Sequence, residues 1–314
     1  MQIYKFHKFA IILTALCILF LPGCTGEPGG YYTGYSDEDT TGSVRSLLGN
    51  YDETVYSVRG ALVRYSSCIT VRFKTTEDVS SQLLRLADEL MASAAEYTDS
   101  PVEGDYIRYQ SGGYESSYTV ERAVDGWNNV LKIVPKYYSY LEYEEKVTEK
   151  VREIINGFGF DENTTDFEKV RTVYDYVCRN VTYDRIHVRN DNYFLRSTSY
   201  AALIWGNATC QGYCVTLYRL LREVGINTRI ITGTADGENS DTLHAWNIIE
   251  LDKAYYNVDA TWDAGKDAYE CFLKGSSDFT GHTPGADFTA ADFSAACPIA
   301  EKSYTENTER KNEL

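Results

Sequence analysis

The chain has 314 residues, with 30 Lys+Arg against 46 Asp+Glu, 43% hydrophobic and 24% charged. Those proportions exclude a disordered, collagen-like or disulfide-dense chain, and the length suits about two domains, each able to bury a core. A formal net charge of −16 argues against a nucleic-acid partner and against adsorption to anionic lipid by charge alone.

Lys5 and Lys8 open a basic leader, and residues 9–20 are apolar apart from Thr14. That run has the length of a signal-peptide core and is too short for a confident membrane span. Leu21-Pro22-Gly23-Cys24 resembles the lipobox of bacterial lipoproteins, although Pro22 is a less usual residue there. The resemblance implies cleavage before Cys24, lipid on its thiol, and an extracytoplasmic protein anchored to the bacterial cell membrane. A plain secretory leader and an uncleaved anchor share much of the pattern. The terminal Lys311-Asn312-Glu313-Leu314 is similar to a relaxed retrieval signal of the endoplasmic reticulum, which would instead suit a eukaryotic secretory protein.

After a signal segment over 1–23, residues 24–50 are rich in Gly, Ser, Thr, Asp and Tyr without an apolar period, and read as a flexible tether. Residues 51–143 form a small N-terminal α+β domain without a catalytic-looking cluster. Within it, alternation predicts a strand over 61–73 and helical spacing a helix over 79–97. Strands follow over 105–110, 117–123 and 130–138, separated by Gly-rich or Asp-Gly turns. The chemistry falls in 144–300, before a polar tail over 301–314. A charged helix spans 144–156. Asp166 caps a second helix whose apolar stripe is Val170, Val173, Tyr174, Val177 and Cys178. Cys178 on that stripe reads as a packed thiol.

A third helix starts at Asn207-Ala208-Thr209-Cys210-Gln211-Gly212-Tyr213-Cys214. Thr209 is placed to cap it, Cys214, Leu217, Leu220, Leu221 and Val224 share one face, and Gly225 stops it. Cys210 then lies in the first turn, where unpaired backbone N–H groups and the positive helix end favour a thiolate. The same N–H groups can bind an oxyanion. Further on, two apolar-aromatic runs flank residues 250–253 and predict a β-hairpin. A turn centred between Leu251 and Asp252 sets His244 directly opposite Asp259, within reach of an imidazole–carboxylate hydrogen bond. The carboxylate fixes the ring tautomer and leaves the other nitrogen to take a thiol proton. The bland readings are a structural histidine and an inert thiol. His187 and His282 fall in loop-like stretches without an equivalent partner. No metal site is expected, since Cys210 and Cys214 lack a second pair at zinc-ligand spacing.

Cys210-Gln211-Gly212-Tyr213, His244-Ala245-Trp246-Asn247 and Asn257-Val258-Asp259-Ala260-Thr261-Trp262-Asp263 together resemble the bacterial transglutaminase-like superfamily. Residues 167–177, Val181-Thr182-Tyr183-Asp184, residues 199–203 and residues 272–276 with His282 agree with it. The resemblance covers roughly residues 145–300. It implies an α+β fold with a papain-like core, a nucleophile helix packed on an antiparallel sheet. It also implies a Cys-His-Asp triad with Cys210 as nucleophile, His244 as base and acid, and Asp259 as orienter. Tyr200 is the candidate side-chain oxyanion donor, its alternative being an aromatic core residue. Cys214, Trp246, Trp262 and Asp263 read as packing.

The expected activity is thiol-dependent acyl transfer or hydrolysis at carboxamide or peptide bonds of proteins, peptides or cell-wall stems, through a thioester. An idle fold that binds peptides or wall stems is the alternative. No cofactor is expected, and no calcium-loop motif is present. Cys271 and Cys297 are candidates for a disulfide in an exported protein.

Overall fold

The computed structural model describes residues 13–15, 43–188, 190, 192–236 and 242–306. Of the leader, only Leu13–Ala15 falls among them. Cys24, the rest of the tether up to residue 42 and the terminal tetrapeptide lie outside the described residues. Two compact units divide the chain: residues 1–21, 31–96 and 113–136 make one, and residues 22–30, 97–112 and 137–314 the other. Among the described residues no helix is long and apolar enough to cross a membrane.

The first unit has β1 (Leu13–Ala15), α1 (Tyr51–Val63), β2 (Ile69–Thr75) and α2 (Leu83–Ala94). Most of the long strands β3 (Ser111–Ala123) and β4 (Gly126–Tyr137) also belongs to it, and its sheet runs β1-β3-β4-β2. The strand expected over 61–73 is realised only from Ile69. Residues 61–63 instead complete α1, whose buried Val55, Val58 and Leu62 sit at helical spacing. Tyr65, at φ 55°, turns the chain between helix and strand. Apolar alternation over a short window cannot separate a helix end from a strand start.

The second unit begins with α3 (Asp105–Tyr109), where alternation predicted a strand. Gly104, at φ 62°, leads the chain into it, and Tyr106 and Tyr109, three apart, are both buried. Then come α4 (Leu141–Phe158) and α5 (Asp166–Asn180). The cap of α5 is Thr165 rather than Asp166, and it forms a reciprocal capping box with Glu168. The short strands β5 (Thr182–Tyr183) and β6 (Asn207–Ala208) pair in parallel. β6 delivers the chain to α6 (Cys210–Glu223), which packs between two layers. Leu217, Leu220 and Leu221 join Val147, Val151, Val173 and Val177 of α4 and α5, while Cys214, Val215 and Tyr218 join Ile230 and Ala245 of the sheet. Every residue from Gln211 to Arg222 is buried, so α6 is a central helix and not one with a single apolar stripe.

The sheet is β10-β7-β8-β9, antiparallel throughout, from β7 (Thr228–Ala235), β8 (Thr242–Leu251), β9 (Ala254–Val258) and β10 (His282–Pro284). The short helices α7 (Ala260–Asp263) and α8 (Ala291–Ala296) complete the unit. A helix beginning at Cys210 packed on an antiparallel sheet is the α+β core expected above.

The β8–β9 turn is Asp252-Lys253, with φ 51° and 69°. Positive φ at both central residues of a two-residue loop is the type I′ pattern, which favours glycine in the second place. Lys253→Gly is therefore expected to stabilise the fold by about 0.5–1 kcal/mol, the left-handed penalty less the extra entropy glycine loses. A thermal melt that stays put or drops would contradict this.

Candidate active site

The hairpin register decides how the site is assembled. Leu251 pairs with Ala254 and Asn247 with Val258, so the residue across from Asp259 would be Trp246 and not His244. Because the turn closes on Asp252-Lys253, the register is displaced by two residues from the one expected. A shift of two preserves the face of every side chain, whereas a shift of one reverses it. His244 and Asp259 are thus diagonal neighbours on one face. The chain leaves β9 at Val258, and Asp259 becomes the N-cap of α7. That bend brings its Oδ2 within 2.7 Å of His244 Nε2. Asp259 Oδ1 accepts from the Thr261 and Trp262 amides at 2.9 and 3.2 Å.

With Nε2 committed to Asp259, Nδ1 of His244 is the nitrogen left for the thiol of Cys210, which hydrogen-bonds the ring. Cys210 is the first residue of α6, and the Ala245 N–H of the neighbouring strand also donates to its sulfur. Gly212, in the first turn of α6, permits this placement. A Cβ there would lie 2.6 Å from Ala208 Cβ and 2.9 Å from Arg196 O, so only glycine lets the helix start approach β6 so closely. Tyr213 donates to Val181 O at 2.5 Å and ties the same turn to the strand before the site.

The electrostatics separate Cys210 from the other buried thiols. Burial pushes its pKa up, but the hydrogen bond and charge of His244 outweigh burial, and the net direction is down. Burial raises Cys214 well above its ordinary value, pushes Cys178 and Cys271 up to about 12, and also raises Cys297. For His244, burial alone would lower the pKa. The bonds to Asp259 and Cys210 reverse that and lift it to about 10. Burial would raise Asp259, yet its histidine partners hold it down to about 2. The shifts of Cys210 and His244 both run in the direction of a thiolate–imidazolium pair, with Asp259 favoured as the carboxylate behind it. All six described cysteines are free, so Cys271 and Cys297 are not bridged.

Tyr200 is placed differently. Its ring is buried, stacked on Tyr143 at 4.1 Å and edge-on to Trp205 at 5.3 Å, inside the core that α4 and α5 share. That is the aromatic-core alternative to the donor role. The tyrosine that feels the thiolate is Tyr183, whose phenol is raised by burial and then by the charge of Cys210, with Arg185 and Arg196 opposing. β5 carries it beside Ala208, two residues before Cys210. Asp184, next in the chain, accepts the Ile186 and His187 amides and the His187 ring, which shapes the following loop.

His282 was expected to lack a partner and has one. Its Nε2 lies 3.0 Å from Asp259 Oδ2, the atom that also binds His244. The sequence signal was weak, because the strand that presents His282 is three residues long and ends at Pro284. Among the described residues, His244, Asp259 and His282 form a cluster with metal-ligand spacing. Its ligand atoms already bond one another, and the His282 side chain is fully buried, so the cluster is saturated by its own hydrogen bonds. Asp263 anchors the loop beyond α7, accepting from the Tyr174 hydroxyl at 2.8 Å and from the Glu270 and Cys271 amides. Trp246 donates to Asn257 Oδ1 at 3.1 Å. These residues hold the hairpin in place.

Residues 149–260 match the family model described as the transglutaminase-like superfamily. A human protein named kyphoscoliosis peptidase is 27% identical over 134 residues, covering 39% of this chain and 20% of its own length. The chain therefore spans about a fifth of that relative. Among solved structures, one described as a TGase is 18% identical, covering 67% of this chain and 55% of its own, with a TM-score of 0.32. An arylamine N-acetyltransferase from Bacillus cereus, described with a Cys-His-Glu catalytic triad, is 10% identical over 38% of this chain and 48% of its own, with a TM-score of 0.28. Residues 149–260, the part of the chain similar to the transglutaminase-like superfamily, carry Cys210, His244 and Asp259.

Proposed function

We propose that this protein performs thiol-dependent acyl transfer or hydrolysis on carboxamide or peptide bonds of protein or peptide substrates. The observation that carries the reading is the chain of contacts from the Cys210 thiol through His244 to Asp259, with the sulfur at the start of a buried helix.

The Cys210 thiolate attacks the carbonyl carbon, and the C–S bond forms as the carbonyl π pair moves to oxygen. The unpaired amides of the first turn of α6 face that oxyanion. His244, already protonated, gives its Nδ1 proton to the leaving nitrogen. The C–N bond breaks, ammonia or an amine departs, and a thioester remains. Water or a primary amine then attacks the thioester while Nδ1 takes back a proton. The C–S bond breaks, the acid or new amide leaves, and the thiolate–imidazolium pair is restored. Asp259 stays ionised throughout and holds the ring by Nε2. Water is always present, so hydrolysis is the expected branch unless the bound acceptor excludes it.

The lipobox-like leader supports an extracytoplasmic, lipid-anchored setting, in which surface proteins, secreted peptides or cell-wall peptides are the substrates within reach. The protein and its Cys210→Ala variant would be incubated with Gln- and Lys-containing peptides plus a primary amine, and the products read by mass spectrometry. Cys210-dependent deamidation or backbone cleavage is expected, and amine incorporation would instead identify the cross-linking branch. Identical product spectra for the two proteins across a broad peptide set would overturn the enzymatic reading in favour of a binding module.

A further inference from the structure

Tyr183 pairs in parallel with Ala208, two residues before Cys210. Side chains alternate along a strand, so residues paired across two strands share a face. The Ala208 methyl group points at the first turn of α6, since a Cβ on Gly212 would lie 2.6 Å from it. The Tyr183 side chain therefore extends towards that turn as well. Backbone bonds fix it on both sides: the Thr182 amide donates to Gly206 O at 2.8 Å and the Asp184 amide to Ala208 O at 2.9 Å. Tyr183 packs on the core that α4, α5 and α6 share, whereas Cys210 packs with Ala245 on the sheet side. Tyr183 and His244 thus flank the start of α6 from different layers. Tyr183 and Cys210 are both half-buried, so solvent reaches each of them. Among the described residues the Tyr183 hydroxyl has no hydrogen-bond partner. Burial, and then the charge of Cys210, raise its pKa, so the phenol keeps its proton. Its donor is free for an oxygen that arrives with substrate.

We propose that Tyr183 is a catalytic residue whose O–H donates a hydrogen bond to the oxyanion formed when Cys210 attacks a substrate carbonyl. The inference rests on the acyl-transfer reading of the site above. As the C–S bond forms, the carbonyl π pair moves to oxygen. The new charge is shared between the Tyr183 hydroxyl and the amides of the first turn of α6. When the C–N bond breaks, the pair returns to re-form the carbonyl, and the hydrogen bond weakens to that of a neutral thioester. The same sequence recurs when water or an amine attacks the thioester. The phenol keeps its proton throughout, so no proton has to be returned to it. A neutral donor held in place by strand pairing needs no reorganisation at the moment charge appears, which is what makes such a bond count in the transition state.

The test compares two reactions of Cys210 in the full chain and in its Tyr183→Phe variant, each read on the Cys210 peptide by mass spectrometry. Acetylation by p-nitrophenyl acetate passes through a tetrahedral oxyanion, and its leaving group needs no proton. Alkylation by iodoacetamide displaces iodide at a saturated carbon, forms no oxyanion and reports the thiol alone. Tyr183→Phe is expected to slow acetylation by roughly 10²–10³-fold and to leave alkylation within about twofold. A proportionate loss of both rates would show that Tyr183 acts on the thiol or on packing, and would overturn the proposal. So would unchanged acetylation in the variant. Should Tyr183→Phe not fold, 3-fluorotyrosine in place of Tyr183 keeps the hydroxyl and makes it a stronger donor. It should speed acetylation with alkylation unmoved, and an unmoved acetylation rate would count against the role. Exposed Cys68 serves as the reference thiol within the same chain. A wild-type Cys210 acetylated no faster than Cys68 would sink the acyl-transfer reading and this role with it. Rapid wild-type acetylation that survives Tyr183→Phe would remove the role of Tyr183 alone.

Discussion

Asp259→Asn is expected to reduce Cys210-dependent turnover by roughly 10²–10⁴-fold while leaving the protein folded. The asparagine oxygen can still cap α7 through the Thr261 and Trp262 amides. Its amide nitrogen, however, would meet His244 Nε2 as a donor. The ring must then accept there and carry its hydrogen on Nδ1, the atom that has to receive the thiol proton. The tautomer is wrong for the reaction. Loss of the carboxylate charge also removes the main interaction that lifts His244 to about 10 against burial. Both limbs of the pH profile of Cys210 alkylation by iodoacetamide should accordingly move down in pH. Unchanged turnover, or a profile displaced upward, would refute the role given to Asp259.

The same contacts set the pH dependence of wild-type stability. Asp259 is held at about 2 against an unfolded value of 3.8, so its contribution is present above pH 3.8 and is lost as pH falls towards 2. His244 is raised from 6.5 to about 10, so its contribution is full below pH 6.5 and is lost as pH rises through 10. The folded state should therefore weaken at both extremes, in windows that Asp259→Asn would remove.

The largest effect on stability is expected away from the thiol. Asp105 Oδ2 accepts from Arg229 Nε at 2.8 Å and from the Ile230 amide at 2.9 Å, while Oδ1 accepts from Arg229 Nη2 at 3.1 Å. The carboxylate side chain is 2% exposed and the guanidinium 15%, which lies against the Tyr97 and Phe293 rings. Burial opposes the charge on Arg229, but Asp105 outweighs it and raises the pKa. Asp105→Ala would strand that guanidinium and should cost about 3–5 kcal/mol of unfolding free energy, read from denaturant midpoints. Replacing both partners, Asp105→Leu with Arg229→Met, should cost markedly less, because no buried charge is left alone. A single-variant loss below about 1 kcal/mol would show that solvent reaches the pair.

Much of the site was legible because its residues belong to local patterns. A cysteine one residue past a threonine in the N-cap position is at a helix start wherever the helix goes. A histidine and an aspartate separated by one hairpin share a face whenever their spacing has the right parity. That parity survived even though the turn lay elsewhere than expected. His282 was illegible for the converse reason. It sits 23 positions beyond Asp259, and its three-residue edge strand carries no periodicity that could place it. Tyr183 and Tyr200 show the same limit. Both are tyrosines upstream of Cys210, and no pattern in the chain tells which ring couples to its sulfur and which stacks on Tyr143.

Helix and strand identity followed from side-chain period in α2, α4, α5, α6 and β8, but not in α1, whose 13 residues went unread as a helix and whose end was expected as a strand. In α2, α4 and α5 the period reflects one buried face and needs no knowledge of the partner, whereas α6 is buried all round. Ordered motifs around Cys210, His244 and Asp259 likewise sufficed to point to the superfamily. Short elements went the other way: α3 is helical because two tyrosines and a buried ion pair reward that turn, and each reward comes from a distant segment. The acidity of Cys210 and the shared oxygen of Asp259 belong to this second kind. They depend on which groups burial brings within about 3 Å, and that distance is set when sheet and helix pack together, not by spacing along the chain.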